Sequence, residues 1–154
     1  MKTTYRSAAA LMLFAASILA APAFAATDAD CNAMWTGADA NADGTLTGAG
    51  AQKYGAMMRI AEKEMPADET MTEVMFKENC AADVFAISTM DEGAPLEGAN
   101  SFTEGQAKDR VIAAGMTEPS VLTKDDQGIW RGTAMQDGKQ MPVSIDFKGN
   151  VVSK

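Results

Sequence analysis

One run of twelve residues, DANADGTLTGAG from Asp39 to Gly50, constrains the fold of this chain more than any other stretch. Oxygen-bearing side chains stand at its first, third and fifth positions, separated by alanines, and Gly44 follows where the chain must turn sharply. Such oxygens, with the backbone carbonyl at the seventh position and a hydroxyl or bound water at the ninth, can converge on one hard cation. The predicted metal ligands are therefore Asp39, Asn41, Asp43, Thr45 and Thr47.

This run resembles the calcium loop of an EF-hand, and the resemblance covers about residues 28–82. It implies a helix on each side of the loop and calcium as the bound ion. In the family, the twelfth position is a glutamate that binds calcium through both oxygens, whereas here it is Gly50. This departure predicts weak binding, with a dissociation constant of about 10⁻⁴ to 10⁻³ M, or its loss.

Apolar residues recur at intervals of three and four on both sides of the loop, which is the spacing of an amphipathic helix. The set before the loop is Cys31, Met34, Trp35 and Ala38. Asp28 or Asp30 is expected to cap this first helix. The set after the loop runs from Ala51 to Met65, and Pro66 is expected to end the second helix because proline cannot continue the hydrogen-bond ladder.

A third helix is predicted from Glu73 to Ala82, with Phe76 and Cys80 one turn apart. The residues before it, 70–72, echo residues 45–47 of the loop. EF-hands normally occur in pairs whose loops meet through a short strand contact, so one interpretation is a pseudo-EF-hand that braces the first loop. The other interpretation is simply the third helix of a small bundle.

The first 25 residues have the features of a secretory signal peptide: a basic start at Lys2 and Arg6, an apolar run too short to span a membrane, and a small-x-small cleavage site ending at Ala25. Cleavage leaves 129 residues, and because the signal carries two of the 13 basic residues and none of the 21 acids, their formal charge is −10. Nucleic acid and anionic membranes are poor partners for such a chain, whereas cations and basic proteins are better ones. We expect a bacterial envelope protein, periplasmic or secreted, with no membrane span after cleavage.

Both cysteines, Cys31 and Cys80, follow the signal peptide, and two cysteines in an oxidising compartment are most simply a disulfide. A redox-active pair would need close spacing or an activating neighbour such as histidine, and the chain contains no histidine. The bridge is therefore predicted to be structural and to hold residues 26–87 together as one helical domain.

Residues 88–101 form the predicted linker, because this stretch is rich in Gly, Pro and Asn and lacks clear periodicity. A second domain is predicted over residues 102–154. Its helix begins with a capping box, Thr103 to Gln106, and stops at Gly115, a residue suited to the left-handed end of a helix.

Beyond this helix the apolar period falls to two, as in half-buried strands. The alternating apolar set is Met141, Val143, Ile145 and Phe147. Residues 129–135 form the preceding strand, joined by a hairpin turn at Asp137-Gly138. Pro142 indicates that the later strand lies at a sheet edge or carries a bulge.

This helix and antiparallel meander, with the sequences DDQGIWRG and QDGKQMPVSIDFKGNVV, resembles the small PepSY-type domain of bacterial envelope proteins over about residues 102–152. The resemblance implies a non-catalytic binding or inhibitory module, often linked with peptidases, whose partner is an envelope protein. Its pattern consists of turns and alternation, so it identifies no functional residue.

The sequence does not indicate an enzyme, because it lacks histidine and its cysteines are predicted to be bridged. Asp125-Asp126 is an acid pair, but neighbours in a turn point apart. Methionine thioethers can hold Cu(I), yet methionine on apolar helical stripes more often fills a core. The methionines concerned are Met34, Met57, Met58, Met65, Met71 and Met75.

The sequence thus predicts an exported α+β protein in which an EF-hand-like helical unit precedes a helix and an antiparallel β-meander. In the first hypothesis, it binds calcium weakly through the loop. In the alternative, it is metal-free and acts through its C-terminal sheet as a protein-binding or peptidase-inhibitory module. Residue 50 discriminates between them, since Gly50→Glu should tighten metal binding and Asp39→Ala should remove it.

Overall fold

A computed structural model describes residues 26–86, 93 and 95–153. The predicted signal peptide and residues 88–92 and 94 of the predicted linker lie outside the described residues. The helices are α1 (Asp28–Ala38), α2 (Gly48–Ile60), α3 (Glu73–Ala81) and α4 (Glu104–Ala113). The strands are β1 (Thr45–Leu46), β2 (Met71–Thr72), β3 (Thr123–Lys124), β4 (Trp130–Gln136), β5 (Lys139–Ile145) and β6 (Val151–Ser153). Helices dominate the first half and an antiparallel sheet the second, which confirms the predicted α+β class.

Thr27 caps α1, so the prediction of Asp28 or Asp30 as the cap was wrong by position. The Thr27 hydroxyl accepts a hydrogen bond from the Asp30 backbone at 3.2 Å, and the Asp30 carboxylate accepts one from the Thr27 backbone at 3.0 Å. This reciprocal capping box satisfies two donors that a helix start leaves open. The bonds from the Thr27 side chain and backbone lower the pKa of Asp30 below its ordinary value.

Helix α2 ends at Ile60, five residues before the predicted end at Met65. Glu62 takes a left-handed φ of 56°, the Glu62 N–H donates to the Arg59 carbonyl and the Lys63 N–H donates to the Met58 carbonyl. These bonds form the C-terminal motif usually built on glycine. The chain then folds back, and Met65 packs against Gly55 of α2.

Four aromatic rings form the centre of the helical half. Phe76 of α3 is fully buried and lies 5.3 Å from the Trp35 ring, 4.7 Å from the Tyr54 ring and 4.8 Å from the Phe85 ring, measured between centroids. Edge-on and tilted pairs of this kind add to the free energy gained by burying the rings. The predicted disulfide joins Cys31 of α1 to Cys80 of α3 beside this cluster.

A short strand contact joins the loop after α1 to the segment before α3. Thr45 pairs with Thr72 and Leu46 with Met71, in antiparallel register. Leu46 and Met71 are both buried in the helical core. The pairing therefore fixes the second half of the Asp39–Gly50 loop against the body of the protein.

The second half forms a four-stranded antiparallel sheet in the order β3-β4-β5-β6. Asp137 and Gly138 connect β4 to β5 with φ values of 50° and 75°, the left-handed pair that a tight hairpin requires. Helix α4 covers one face. Thr103 and Gln106 form the predicted capping box at its start, and the left-handed Gly115 follows its C-cap residue, Ala114. The buried residues of this core are Ala107, Val111, Met116, Leu122, Ala134, Val143, Ile145 and Val151.

Helix α4 also contacts the helical half. Ala113 is 1 % exposed and lies in the cluster around Phe76, and Ile112 packs against the same cluster. Arg59 of α2 and Asp109 of α4 form an ion pair at 2.7 Å. One face of α4 thus packs against the sheet, and another face packs against α2.

Pro142 lies where β5 is an edge of the described sheet, a position that tolerates proline. It pairs with Thr133 of β4, whereas β6 pairs only with residues 143–145 of β5. No described strand lies on the outer side of Pro142, so its missing N–H breaks no ladder there.

No helix among the described residues has the length and apolar character needed to cross a membrane.

Removing the disulfide should destabilise the fold strongly. We expect the Cys31→Ala/Cys80→Ala variant to lose about 4 kcal/mol of unfolding free energy, because the unfolded chain gains the freedom of a large open loop. Urea unfolding of the oxidised protein and the variant measures this difference. A reductant should lower the stability of the wild type and leave the variant unchanged; equal stability of the two proteins would contradict a structural role for the bridge.

Candidate metal centre

Asp39 lies at the C-terminal end of α1, where its backbone N–H donates to the Trp35 carbonyl at 2.8 Å. Its side chain turns inward, and the residue is only 7 % exposed. The Oδ2 atom accepts a hydrogen bond from the Gly44 backbone at 3.0 Å. This bond ties the start of the loop to its sharp turn.

The other carboxylate oxygen of Asp39 is buried and has no hydrogen-bond partner. Burying a charged oxygen without a partner costs several kcal/mol, so folded proteins rarely keep one. The end of α1 adds the partial negative charge of its last carbonyls to the same region. This corner of the protein therefore favours a cation.

The turn between Asp39 and β1 is held by left-handed residues and by local hydrogen bonds. Ala42 and Gly44 take left-handed φ values of 54° and 81°. The Asn41 amide donates to Asp43 Oδ2 at 2.7 Å, and Asp43 Oδ1 accepts from the Thr45 backbone at 2.9 Å. Asn41 and Asp43 are exposed, so a cation could reach them without unfolding the loop.

Thr47 and Gly50 complete the predicted loop at the start of α2. Thr47 is the N-cap residue of α2, but its hydroxyl forms no capping hydrogen bond. A Cβ at Gly50 would lie 3.8 Å from the Ala38 carbonyl oxygen and 3.9 Å from the Leu46 side chain, which are ordinary contacts. The fold thus has room for a longer side chain at residue 50, but the sequence supplies no oxygen there.

The residues present fit a hard cation with incomplete coordination. Asp39 offers one unsatisfied oxygen, and Asp43 and Asn41 lie in the same turn, although the Asn41 amide must rotate to present its oxygen. Among the described residues, no group of three or more His, Cys, Asp or Glu side chains is placed to hold a metal ion. The loop has only two such side chains, Asp39 and Asp43.

A second buried carboxylate, Asp146, shows the contrasting case. It is 1 % exposed, and both its oxygens accept hydrogen bonds. The donors are the Leu96, Lys148 and Asn150 backbones and the Asn150 side chain. Burial alone raises the pKa of Asp146, but these four bonds outweigh burial and hold the pKa below its ordinary value. Asp146 therefore organises the β5–β6 turn and leaves no oxygen for a ligand.

The methionines and Asp125, which the sequence also offered as metal-binding or catalytic candidates, make contacts that stabilise the fold. The six methionines named as possible Cu(I) ligands all pack in or against the helical core. Asp125 accepts hydrogen bonds from the Ile129 and Gln127 backbones and from Arg131, and these bonds lower its pKa. Trp130 and Arg131, neighbours in β4, face opposite sides of the sheet, and the Trp130 indole N–H donates to the Phe102 carbonyl.

A groove beside the loop was not foreseen from the sequence. It has a volume of about 440 Å³ and lies between the end of α1, the start of α2 and the end of α4. Six of the lining residues define what we call the α1–α2–α4 groove: Met34, Ala38, Gly50, Lys53, Ile112 and Met116. These residues come from α1, from α2 and from the end of α4 with the segment after it, and tertiary packing brings them together.

Comparisons with protein-family models, with curated proteins and with solved structures find no match to this chain. The EF-hand and PepSY resemblances therefore stay predictions, and the site stands on its own residues.

Asp146 should make the fold acid-sensitive. Its lowered folded pKa contributes stability that is present above the unfolded value of about 3.9 and is lost as the pH falls through the folded pKa. We expect Asp146→Asn to cost about 3 kcal/mol at neutral pH, because the new amide presents N–H groups to other donors. Urea unfolding over a pH series should show the difference from the wild type shrinking toward pH 2, as both residues become neutral.

The matched control is Asp126→Asn, which removes an exposed carboxylate from another turn. Its stability should follow the wild type across the series. An Asp146→Asn deficit that stays constant from neutral to acid pH would show that the charge of Asp146 does not stabilise the fold.

Proposed function

We propose that this protein is a non-enzymatic, exported protein that binds calcium weakly through residues 39–47. One observation carries the proposal: Asp39 is buried at the first position of the loop with one carboxylate oxygen that no hydrogen bond satisfies. A bound cation would compensate that oxygen. Asn41, Asp43, the Thr45 carbonyl and Thr47, or a water beside it, would supply the remaining ligands from the protein.

The ligand types favour calcium over softer or smaller ions. Carboxylate, amide and carbonyl oxygens select hard cations, and the loop contains no sulfur or imidazole ligand. Magnesium needs a rigid octahedral arrangement and releases its water reluctantly, whereas calcium accepts irregular sites with several waters. Two carboxylates and no glutamate at residue 50 place the dissociation constant at about 10⁻⁴ to 10⁻³ M. Calcium at that level occurs outside the cytosol, in keeping with a periplasmic or secreted location.

The proposed role of the ion is to stabilise the helical half. Asp39 is the C-cap residue of α1, Thr45 lies in β1 and Thr47 is the N-cap residue of α2. One ion bound to all three would therefore join three elements. At ten times the dissociation constant, an ion that binds only the folded state adds about 1.4 kcal/mol of stability. The Cys31–Cys80 disulfide is compatible with an oxidising compartment, where this stabilisation would act.

Calcium titration by calorimetry tests the proposal. After chelator treatment, the oxidised protein should bind one calcium ion with a submillimolar to millimolar dissociation constant, and magnesium should compete poorly. Asp39→Asn keeps the acceptor for the Gly44 N–H but removes the charge, so it should abolish binding. Gly50→Glu should tighten binding, because it restores a carboxylate at a position with room for one.

The matched control, Asp126→Asn, makes the same charge change outside the loop and should bind like the wild type. In the calcium-free state, Asp39→Asn should be at least as stable as the wild type, because the wild type keeps an unpaired buried charge. A melting temperature that millimolar calcium does not raise, in both the wild type and Gly50→Glu, would contradict the proposal.

A second candidate is a metal-free module that binds protein or inhibits a peptidase through the C-terminal sheet. The observation that favours it is the sheet face opposite α4, which carries exposed or half-exposed polar side chains linked to one another. Arg131 donates to the Ser144 hydroxyl at 3.3 Å, and Gln140 donates to the Thr133 hydroxyl at 3.0 Å. Residues 139–142 also have no described strand on their outer side, so an extended partner segment could pair there.

Peptidase assays in chelator distinguish this candidate from the first. If the sheet is inhibitory, the protein should reduce cleavage of a fluorogenic casein by bacterial envelope peptidases in a dose-dependent manner without calcium. Arg131→Glu should weaken inhibition by reversing a charge on the open face, whereas Lys77→Glu, on α3, should not. Full peptidase activity at saturating protein would exclude inhibition of the enzymes tested.

A further inference from the structure

The α1–α2–α4 groove and the candidate metal centre share a boundary. Gly50 is the twelfth residue of the loop and also lines the groove, and Ala38, which precedes Asp39, lines it as well. The place that a glutamate side chain would occupy at residue 50 is therefore next to open space. A ligand in the groove could reach the side of the loop where the protein supplies no oxygen.

The groove has the size and lining of a site for a small organic molecule. Its volume of about 440 Å³ falls in the range of ligand pockets. Met34 and Ile112, which are only partly buried, supply apolar surface, and methionine side chains adapt to ligands of different shape. An apolar body several carbon atoms long would fit these contacts.

The charge in the groove favours an anion. Lys53 lines it one turn after Gly50, and its amino group lies 5.7 Å from the centre of the Tyr54 ring. Among the described residues, Lys53 takes part in no ion pair, whereas Lys77 and Lys108 pair with glutamates. The mature chain carries a formal charge of −10, which disfavours an acidic protein or peptide but opposes a single carboxylate much less.

We propose, on the premise that the loop binds calcium, that the groove binds a small monocarboxylic acid with an apolar body. The carboxylate takes the role of the glutamate that Gly50 lacks and lies between the ion and Lys53, while the apolar body contacts Met34 and Ile112. Calcium and the carboxylic acid then strengthen each other's binding, because each contributes to the site of the other. The protein would act as a calcium-dependent carboxylate-binding protein.

Hexanoate is the probe, and the calcium dissociation constant measured by calorimetry is the readout. We expect saturating hexanoate to lower this constant by about fivefold or more in the wild type. Hexanol has the same apolar body without the carboxylate and should have no such effect. In Gly50→Glu, the new side chain fills the position, so calcium binding should be tighter and hexanoate should no longer improve it.

Two lysine variants separate the groove from general effects of charge. Lys53→Gln should lose most of the hexanoate effect and keep the calcium affinity measured without hexanoate. Lys63→Gln removes an exposed lysine beyond α2 and should behave as the wild type. Methyl spectra of the methionines give a second readout: hexanoate with calcium should shift Met34, which is only partly buried, saturably, and should not shift the buried Met71.

The outcomes distinguish this proposal from calcium binding itself. If no variant and no condition gives calcium binding, the loop is not a metal site and both proposals fall. If calcium binds and hexanoate changes neither its affinity nor the Met34 methyl signal, the calcium site stands and the carboxylate site is overturned. If an acidic peptide tightens calcium binding and hexanoate does not, the occupant is a protein segment and the small-molecule proposal is wrong.

Discussion

The bond between Cys31 and Cys80 fixes α1 beside α3, and the geometry of the helical half depends on it. With these helices side by side, Phe76 fills the space between Trp35 and Tyr54. The start of α3 is then placed so that β2 meets β1. A two-residue strand pair has little stability of its own, so the loop keeps its form because the disulfide and the buried rings hold both of its neighbours.

The two buried carboxylates, Asp39 and Asp146, differ in how their charge is compensated. Asp146 is surrounded by four donors, and its burial is compensated entirely within the protein. Asp39 is almost as buried, yet one oxygen has no donor. Since an unpaired buried charge opposes folding, its presence is explained most directly by a compensating partner from outside the chain. This difference, rather than the number of acids, distinguishes the loop from the other turns of the molecule.

Local chemistry made much of the fold predictable from the sequence. The Thr103 capping box and the Asp137-Gly138 hairpin depend only on neighbouring residues. The end of α2 was not predictable in this way, because Glu62 adopts a left-handed conformation usually reserved for glycine. The apolar alternation predicts a strand that continues to Phe147, but β5 ends at Ile145 and the following turn buries the Asp146 carboxylate.

The loop itself could be located from its spacing, whereas its surroundings could not. The unpaired state of Asp39 depends on which backbone groups the fold brings near it, and the α1–α2–α4 groove depends on how α4 docks on α2. That docking also links the two halves: Ala113 is fully packed against the helical core while Val111 is packed against the sheet. Because packed interiors transmit displacement, an ion that shifts the start of α2 would act on α4 and through it on the sheet. The calcium-binding hypothesis and the sheet-recognition hypothesis therefore concern two parts of the protein that are joined by the packing of α4. Either one should be measured at a known calcium occupancy of the loop.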